Sequence, residues 1–152
     1  IGLNFRGCSG EPNRTTRAYH SGETGDIGVV LDLVVRRYGR AAGLVGFSLG
    51  GTVTLKHLGE QGEGARERLG AAVAVSVPFD LAAACDCISA GPMGRLYTRY
   101  FMRSLLRKIE RKAHVLEDAC DLAAIRRART LRQFDDAATA PLHGFESATD
   151  YY

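Results

Sequence analysis

The chain has 152 residues, of which 45% are hydrophobic, enough for the core of one domain and too little length for several. Its 20 basic and 17 acidic residues leave a net charge of +3 and are scattered along the sequence, which excludes the dense basic footprint of a nucleic-acid binder. Cys8, Cys85, Cys87 and Cys120 have neither C-x-x-C spacing nor histidines placed to complete a zinc site, so neither a metal centre nor a disulfide framework is expected.

Residues 2–5 are predicted to form a strand with no cap or linker before it, so the polypeptide reads as cut from something longer. The run 6–22, rich in Gly, Ser, Pro and Asn, reads as a long loop. Glu23 and Asp26 open a helix whose apolar positions Ile27, Val30, Leu31, Val34 and Tyr38 follow the helical period and which Gly39 stops. Residues 41–47 read as an apolar strand, Ser48 follows at once, and 49–58 read as a helix despite the glycines at its start. After a loop at 62–70, residues 71–77 are apolar without alternation, as in a parallel strand buried on both faces. The order strand, helix, strand, helix, strand predicts a doubly wound, mainly parallel α/β sheet.

From Pro78 the spacing becomes helical with no convincing strand. This divides the chain into a partial core at 1–77, a helical cap or lid at 78–146 and a return to the core at 147–152. No segment approaches the roughly 20 apolar residues needed to span a bilayer and no leader opens the chain, so a cytoplasmic location is the default expectation.

Gly46-Phe47-Ser48-Leu49-Gly50 matches the G-x-S-x-G pattern of a nucleophile elbow, led into by an apolar strand and out of by a helix. The strained turn would hold the Ser48 hydroxyl at a strand's C-terminal end and a helix N-terminus, where the Leu49 amide can donate to a developing oxyanion. Gly46 and Gly50 are expected to be glycines to avoid collision across the turn, and Gly51 to allow close packing. The bland alternative is a purely structural tight turn.

A serine hydroxyl needs a histidine base, and the base needs an acid to orient it. His20, His57 and His114 read as structural or solvated. Ser48, Asp135 or Asp136, and His143 occur in a suitable order, but the stretch from Phe134 to His143 leaves no room for the strand ends and helix that should separate the acid from the base. Arg95, Arg99, Arg103, Arg107 and Arg111 recur every four residues on one helical stripe, beside Leu96, Tyr97, Tyr100, Phe101 and Leu105. The stripe reads as a solvated face that should find acidic partners, or as a cap helix that meets an anionic membrane surface or acidic substrate groups. Cys85 and Cys87 lack further ligands and read as inert.

The motifs resemble those of the YheT-like branch of the α/β-hydrolases, the type-four AB hydrolases. Asn4-Phe5-Arg6-Gly7-Cys8-Ser9-Gly10-Glu11-Pro12 and Tyr19-His20-Ser21-Gly22-Glu23-Thr24 are similar to the family's segments before the elbow. Ser76-Val77-Pro78-Phe79-Asp80 is similar to the start of its cap, and Phe134-Asp135-Asp136, His143-Gly144-Phe145 and Asp150-Tyr151-Tyr152 to the cap's end. The resemblance implies hydrolysis of small-molecule carboxylic esters, acyl or lipid-like, by a Ser-Asp-His triad with no metal or organic cofactor, and the scattered charge gives no reason to expect a nucleic-acid partner. Only the nucleophile, Ser48, and one oxyanion donor, the Leu49 amide, fall on this chain. The second oxyanion loop is expected before residue 1, and the Asp and His after residue 152. Thr52 departs from the family, which has Asn there. The rival readings are a truncated, non-catalytic binding module and acyl transfer to an alcohol at the same site.

Overall fold

The computed structural model describes residues 1–152, and its first regular element, helix α1 (Gly25–Tyr38), is the one the apolar spacing predicts. Ile27 and Leu31 are its buried positions, with Asp26 in the first turn and Arg36 and Arg37 in the last, each charge complementing the helix dipole at its end. Gly39, at φ 77°, donates its N–H to Val35 O at 2.9 Å and ends the helix in a conformation that glycine adopts without strain.

Strand β1 (Leu44–Phe47) pairs in parallel with β2 (Ala72–Val75), in register from Leu44↔Ala72 to Phe47↔Val75. Parallel strands need a long crossover, here helix α2 (Leu49–Gln61), a 3-10 turn (Gly62–Gly64) and helix α3 (Ala65–Arg68). Helix α2 lies close to the sheet face that carries Gly46 and Ala74, since a Cβ on Gly51 would stand 3.3 Å from Gly46 O and 3.5 Å from Ala74 Cβ. Side-chain alternation puts Val45, Phe47, Val73 and Val75 on the other face, where they remain 56%, 67%, 52% and 37% exposed. Ile27, Leu31, Val53 and Leu69 make the core, with Phe5, Ala41, Leu44 and Leu58 packed around it. These elements form one compact unit, Ile1–Phe5 with Tyr19–Phe79.

Three expectations are corrected here. Residues 2–5 form no strand, because a strand exists only through a ladder partner and no segment of the chain pairs with them. Phe5 nonetheless packs, its ring stacked on that of Tyr19 at a centroid distance of 5.5 Å. The strands expected at 41–47 and 71–77 shorten to 4 residues each. Ala41 keeps an isolated parallel bridge to Leu69, and Ser76, at φ 53°, leads the chain out of the ladder. The loop expected at 62–70 contains α3, where Ala, Arg and Glu favour helix and Arg66 pairs with Glu63 at 3.3 Å.

The second unit comprises Arg6–Ala18 and Asp80–Tyr152 and contains no strand. Helix α4 (Leu81–Ser89) starts where the Asp80 carboxylate accepts from Ala83 N at 2.8 Å, and α5 (Gly91–Glu110) follows with Pro in its first turn. Helices α6 (Ala113–Leu116), α7 (Leu122–Arg127), α8 (Leu131–Phe134), α9 (Ala140–His143) and α10 (Ala148–Tyr151) complete the unit, with a π-turn at Asp135–Thr139. Met102, Ile109, Leu116, Ile125, Ala128, Phe134 and Ala138 form its core. No helix is long and apolar enough to cross a membrane.

Two of the chain's three lysines fasten the loop Arg6–Ala18 within this unit. Lys112 Nζ, buried with its residue 7% exposed, donates to Asn13 Oδ1 and Arg17 O, both at 3.0 Å. Lys108 Nζ lies 2.9 Å from Cys8 Sγ. Burial, reinforced by the charge of Arg6, lowers the pKa of Lys112. The acidic partners expected for the arginine stripe are not there: the only acid of α5, Glu110, is held by Arg126 at 2.8 and 3.0 Å.

Candidate active site

The turn between β1 and α2 is built by the backbone. Ser48 N–H donates to Val75 O at 2.8 Å, extending the parallel ladder by one residue beyond Phe47. The chain then breaks to φ 51° and ψ −120° at Ser48, a left-handed backbone that a side chain rarely adopts. Ser48 O accepts from Gly51 N at 2.8 Å and Thr52 N at 3.2 Å, so the helix begins at once. The serine side chain does not cap that helix and the residue is exposed, which leaves its hydroxyl at the surface.

The glycines around Ser48 differ in what they do. A Cβ on Gly46 would collide with the Gly50 carbonyl and lie 2.5 Å from Thr54 Oγ1. Thr54, 1% exposed, is held in place by its own hydrogen bond to Gly50 O at 2.8 Å. A Cβ on Gly51 would approach Val77 Cγ2 to 2.7 Å, so the helix sits too close to the end of β2 for a larger residue without movement there. At Gly50 the steric expectation is corrected, because an added Cβ would meet only Phe5 Cζ at 3.8 Å, an ordinary contact. The collision across the turn is between position 46 and the backbone of position 50, so only the first must lack a side chain.

Ser76 is the residue that sequence reasoning missed. It and Ser48 are the two non-glycine residues with positive φ, 53° and 51°, and the register Phe47↔Val75 places them side by side at the C-terminal ends of the paired strands. The strained serine beside the elbow has no local signature, since no glycine pattern flags it.

Thr52 carries a second local cost. Its Oγ1 is buried without a hydrogen-bond partner, and a buried unsatisfied hydroxyl costs about 1–3 kcal/mol. Thr52→Val, which keeps the shape and removes the polar atom, should therefore raise stability by about 1 kcal/mol, read as a higher urea midpoint with an unchanged slope.

His57 is 3% exposed on α2, and nine residues of helix put it about 13 Å along the axis from Ser48. It faces α1, where a Cβ on Gly28 would stand 3.7 Å from its Cε1. Burial, then the charge of Arg68, lowers its pKa below the usual 6.5. A histidine depressed in the folded state favours folding above its unfolded pKa, and that stability is lost as pH falls below 6.5. Urea midpoints should therefore drop between pH 7 and 5 in the wild type, with a shallower drop in His57→Gln.

Asp135, Asp136 and His143 lie in the second unit, whereas Ser48 lies in the first. Asp135 accepts from the Tyr152 hydroxyl at 2.8 Å and the Thr139 hydroxyl at 2.5 Å, and burial raises its pKa despite both donors. Asp136 accepts from Ala148 N at 2.7 Å. Both carboxylates thus tie α10 and the π-turn together. Cys85 Sγ lies 3.1 Å from the Tyr152 hydroxyl and its thiol is pushed up by burial, as is that of Cys120.

No family model matches the chain, and no solved structure matches it. Several curated proteins do. The chain is 40% identical to YheT of Escherichia coli, named as a candidate esterase, over 99% of this chain and 44% of that protein. It is 33% identical to a monoacylglycerol lipase of Saccharomyces cerevisiae and 30% identical to phospholipase ABHD3 of Mus musculus, over 99% of this chain and 34% and 36% of those proteins. The chain spans less than half the length of these relatives.

Proposed function

We propose, for a chain related over 99% of its length to the YheT-like α/β-hydrolases, that it is the central segment of a serine hydrolase acting on acyl or lipid-like carboxylic esters. The observation that carries this reading is the strained backbone of Ser48, φ 51°, seated between a parallel strand and a helix, beside a glycine whose added Cβ would collide with the Gly50 carbonyl. β1 and β2 are then the middle of a doubly wound sheet, and residues 78–146 the helical cap that follows it in the chain.

In this reading Ser48 Oγ attacks the ester carbonyl while a histidine takes its proton. The Leu49 amide, first in α2, donates to the oxyanion. Collapse of the tetrahedral intermediate expels the alcohol, which recovers the proton, and water attacking the acyl-enzyme releases the acid and restores Ser48. The histidine, the aspartate that orients it and the second oxyanion donor come from the flanking lengths of a longer protein. Met93, Leu96, Tyr97 and Tyr100, exposed on α5 by 64%, 61%, 54% and 69%, suit peripheral contact with a lipid surface.

A fluorophosphonate probe tests the nucleophile. The full-length protein should be labelled on Ser48 and the Ser48→Ala variant should not. Labelling that survives the substitution, or a wild type that resists the probe while hydrolysing esters, rules Ser48 out.

A further inference from the structure

We infer that the second unit carries a binding groove for a phosphate group bearing an apolar chain, separate from the chemistry proposed for Ser48. Arg95, Arg99, Arg103 and Arg129 all line one open cavity of about 520 Å³. The first three are successive steps of the stripe on α5, each about 6 Å from the next along the axis. Arg129 comes from the turn between α7 and α8, so arginines of two elements line the same cavity. That turn is held rigidly: Arg129 N and Thr130 N donate to Gln133 Oε1 at 2.8 and 3.3 Å, and Thr130 Oγ1 accepts from Gln133 N at 3.2 Å.

None of the four forms an ion pair with a carboxylate; the ion pairs of the chain lie elsewhere. Like charges placed four residues apart repel, and here nothing in the chain relieves that repulsion. A ligand of high negative charge density does. Phosphate, at about −1.5 to −2 near neutral pH, presents several oxygens to several guanidinium forks at once. The floor of the groove is apolar: Met102 and Ala128, 5% and 4% exposed, belong to the core of the unit and Leu106 packs against it. A phosphate alone leaves that floor wet, whereas a phosphate with an alkyl or acyl chain covers it. The ligand class is therefore an anionic phosphoamphiphile rather than a free phosphate.

Calorimetric titration of the full-length protein tests this, in a Ser48→Ala background so that no ester is turned over. The ligands are dihexanoyl phosphatidic acid below its micelle concentration and, separately, inorganic phosphate. The amphiphile should bind about tenfold or more tighter than phosphate. Arg99→Gln with Arg103→Gln should weaken it about tenfold or more, while Arg107→Gln with Arg111→Gln, the same charge removed outside the groove, should change it less than about twofold. Melting curves establish that both double variants, at exposed positions, remain folded. Absence of amphiphile binding at millimolar concentration, equal loss in the two double variants, or equal affinity for inorganic phosphate overturns the proposal. None of these outcomes bears on the Ser48 reading, which the fluorophosphonate probe decides.

Discussion

Ser48→Ala in the full-length protein should lower ester hydrolysis by about four to six orders of magnitude, with little change in stability. Residues 1–152 alone should hydrolyse a nitrophenyl acyl ester no faster than their own Ser48→Ala control. The two expectations have one cause. A strained turn presents a hydroxyl, but an unassisted hydroxyl is nearly inert. His57 is buried against α1 and far along its helix from Ser48, and Asp135 and Asp136 are engaged with Tyr152, Thr139 and Ala148. With the Leu49 amide, the oxyanion donor proposed for this chain, acting alone, a further factor of about a hundred or more should be lost. Steady-state rates on purified protein decide it. Clear Ser48-dependent turnover by residues 1–152 would mean that a base within them reaches the serine, and would return Asp135, Asp136 and His143 to consideration.

What was legible in the sequence was what short-range chemistry writes there. The period of Ile27 and Leu31 foretold α1 because a helix repeats its apolar face within its own few turns, and Gly46 and Ser48 foretold the turn because it closes against Gly50 and Thr54, only a few residues on. Residues 2–5 looked like a strand by composition, yet a strand is a relation between two segments and the sequence of one cannot supply the other. Residues 62–70 looked like a loop because glycines at 62, 64 and 70 read as breakers, while Ala65–Arg68 between them had the propensity to make a turn of helix. The fastening of the loop Arg6–Ala18 by Lys108 and Lys112 spans about a hundred positions, beyond any periodicity.

The candidate site divides in the same way. Ser48 could be read from five residues, whereas its strained neighbour Ser76 could not, because its conformation comes from where β2 stops relative to β1. The arginine stripe was visible in the sequence, but its lack of carboxylate partners was not. For Arg107 and Arg111, the arginines nearest Glu110, it turned on Glu110 pairing with Arg126, sixteen positions away.

The glycines of the elbow give the sharpest structural test, because the motif treats positions 46 and 50 alike and the structure does not. Gly46→Ala should destabilise the full-length protein by about 3 kcal/mol, near the upper end of overpacking costs. Its Cβ would lie against the Gly50 carbonyl and 2.5 Å from Thr54 Oγ1. Removing the threonine hydroxyl as well, in Gly46→Ala with Thr54→Ala, should restore little, since the Gly50 backbone still blocks the space and can move only if α2 tilts off the sheet. Gly51→Ala should cost less, about 1–2 kcal/mol, because its obstacle is the side chain of Val77, which can turn aside. Gly50→Ala should be neutral or stabilising by up to about 1 kcal/mol: it meets only Phe5 Cζ at 3.8 Å, and alanine is the better helix former. Urea midpoints for the three variants should fall in the order 50, 51, 46, from most to least stable. Equal losses at 46 and 50 would show that the turn is symmetric after all, and that the close approach of the Gly50 carbonyl to position 46 does not set the geometry of Ser48.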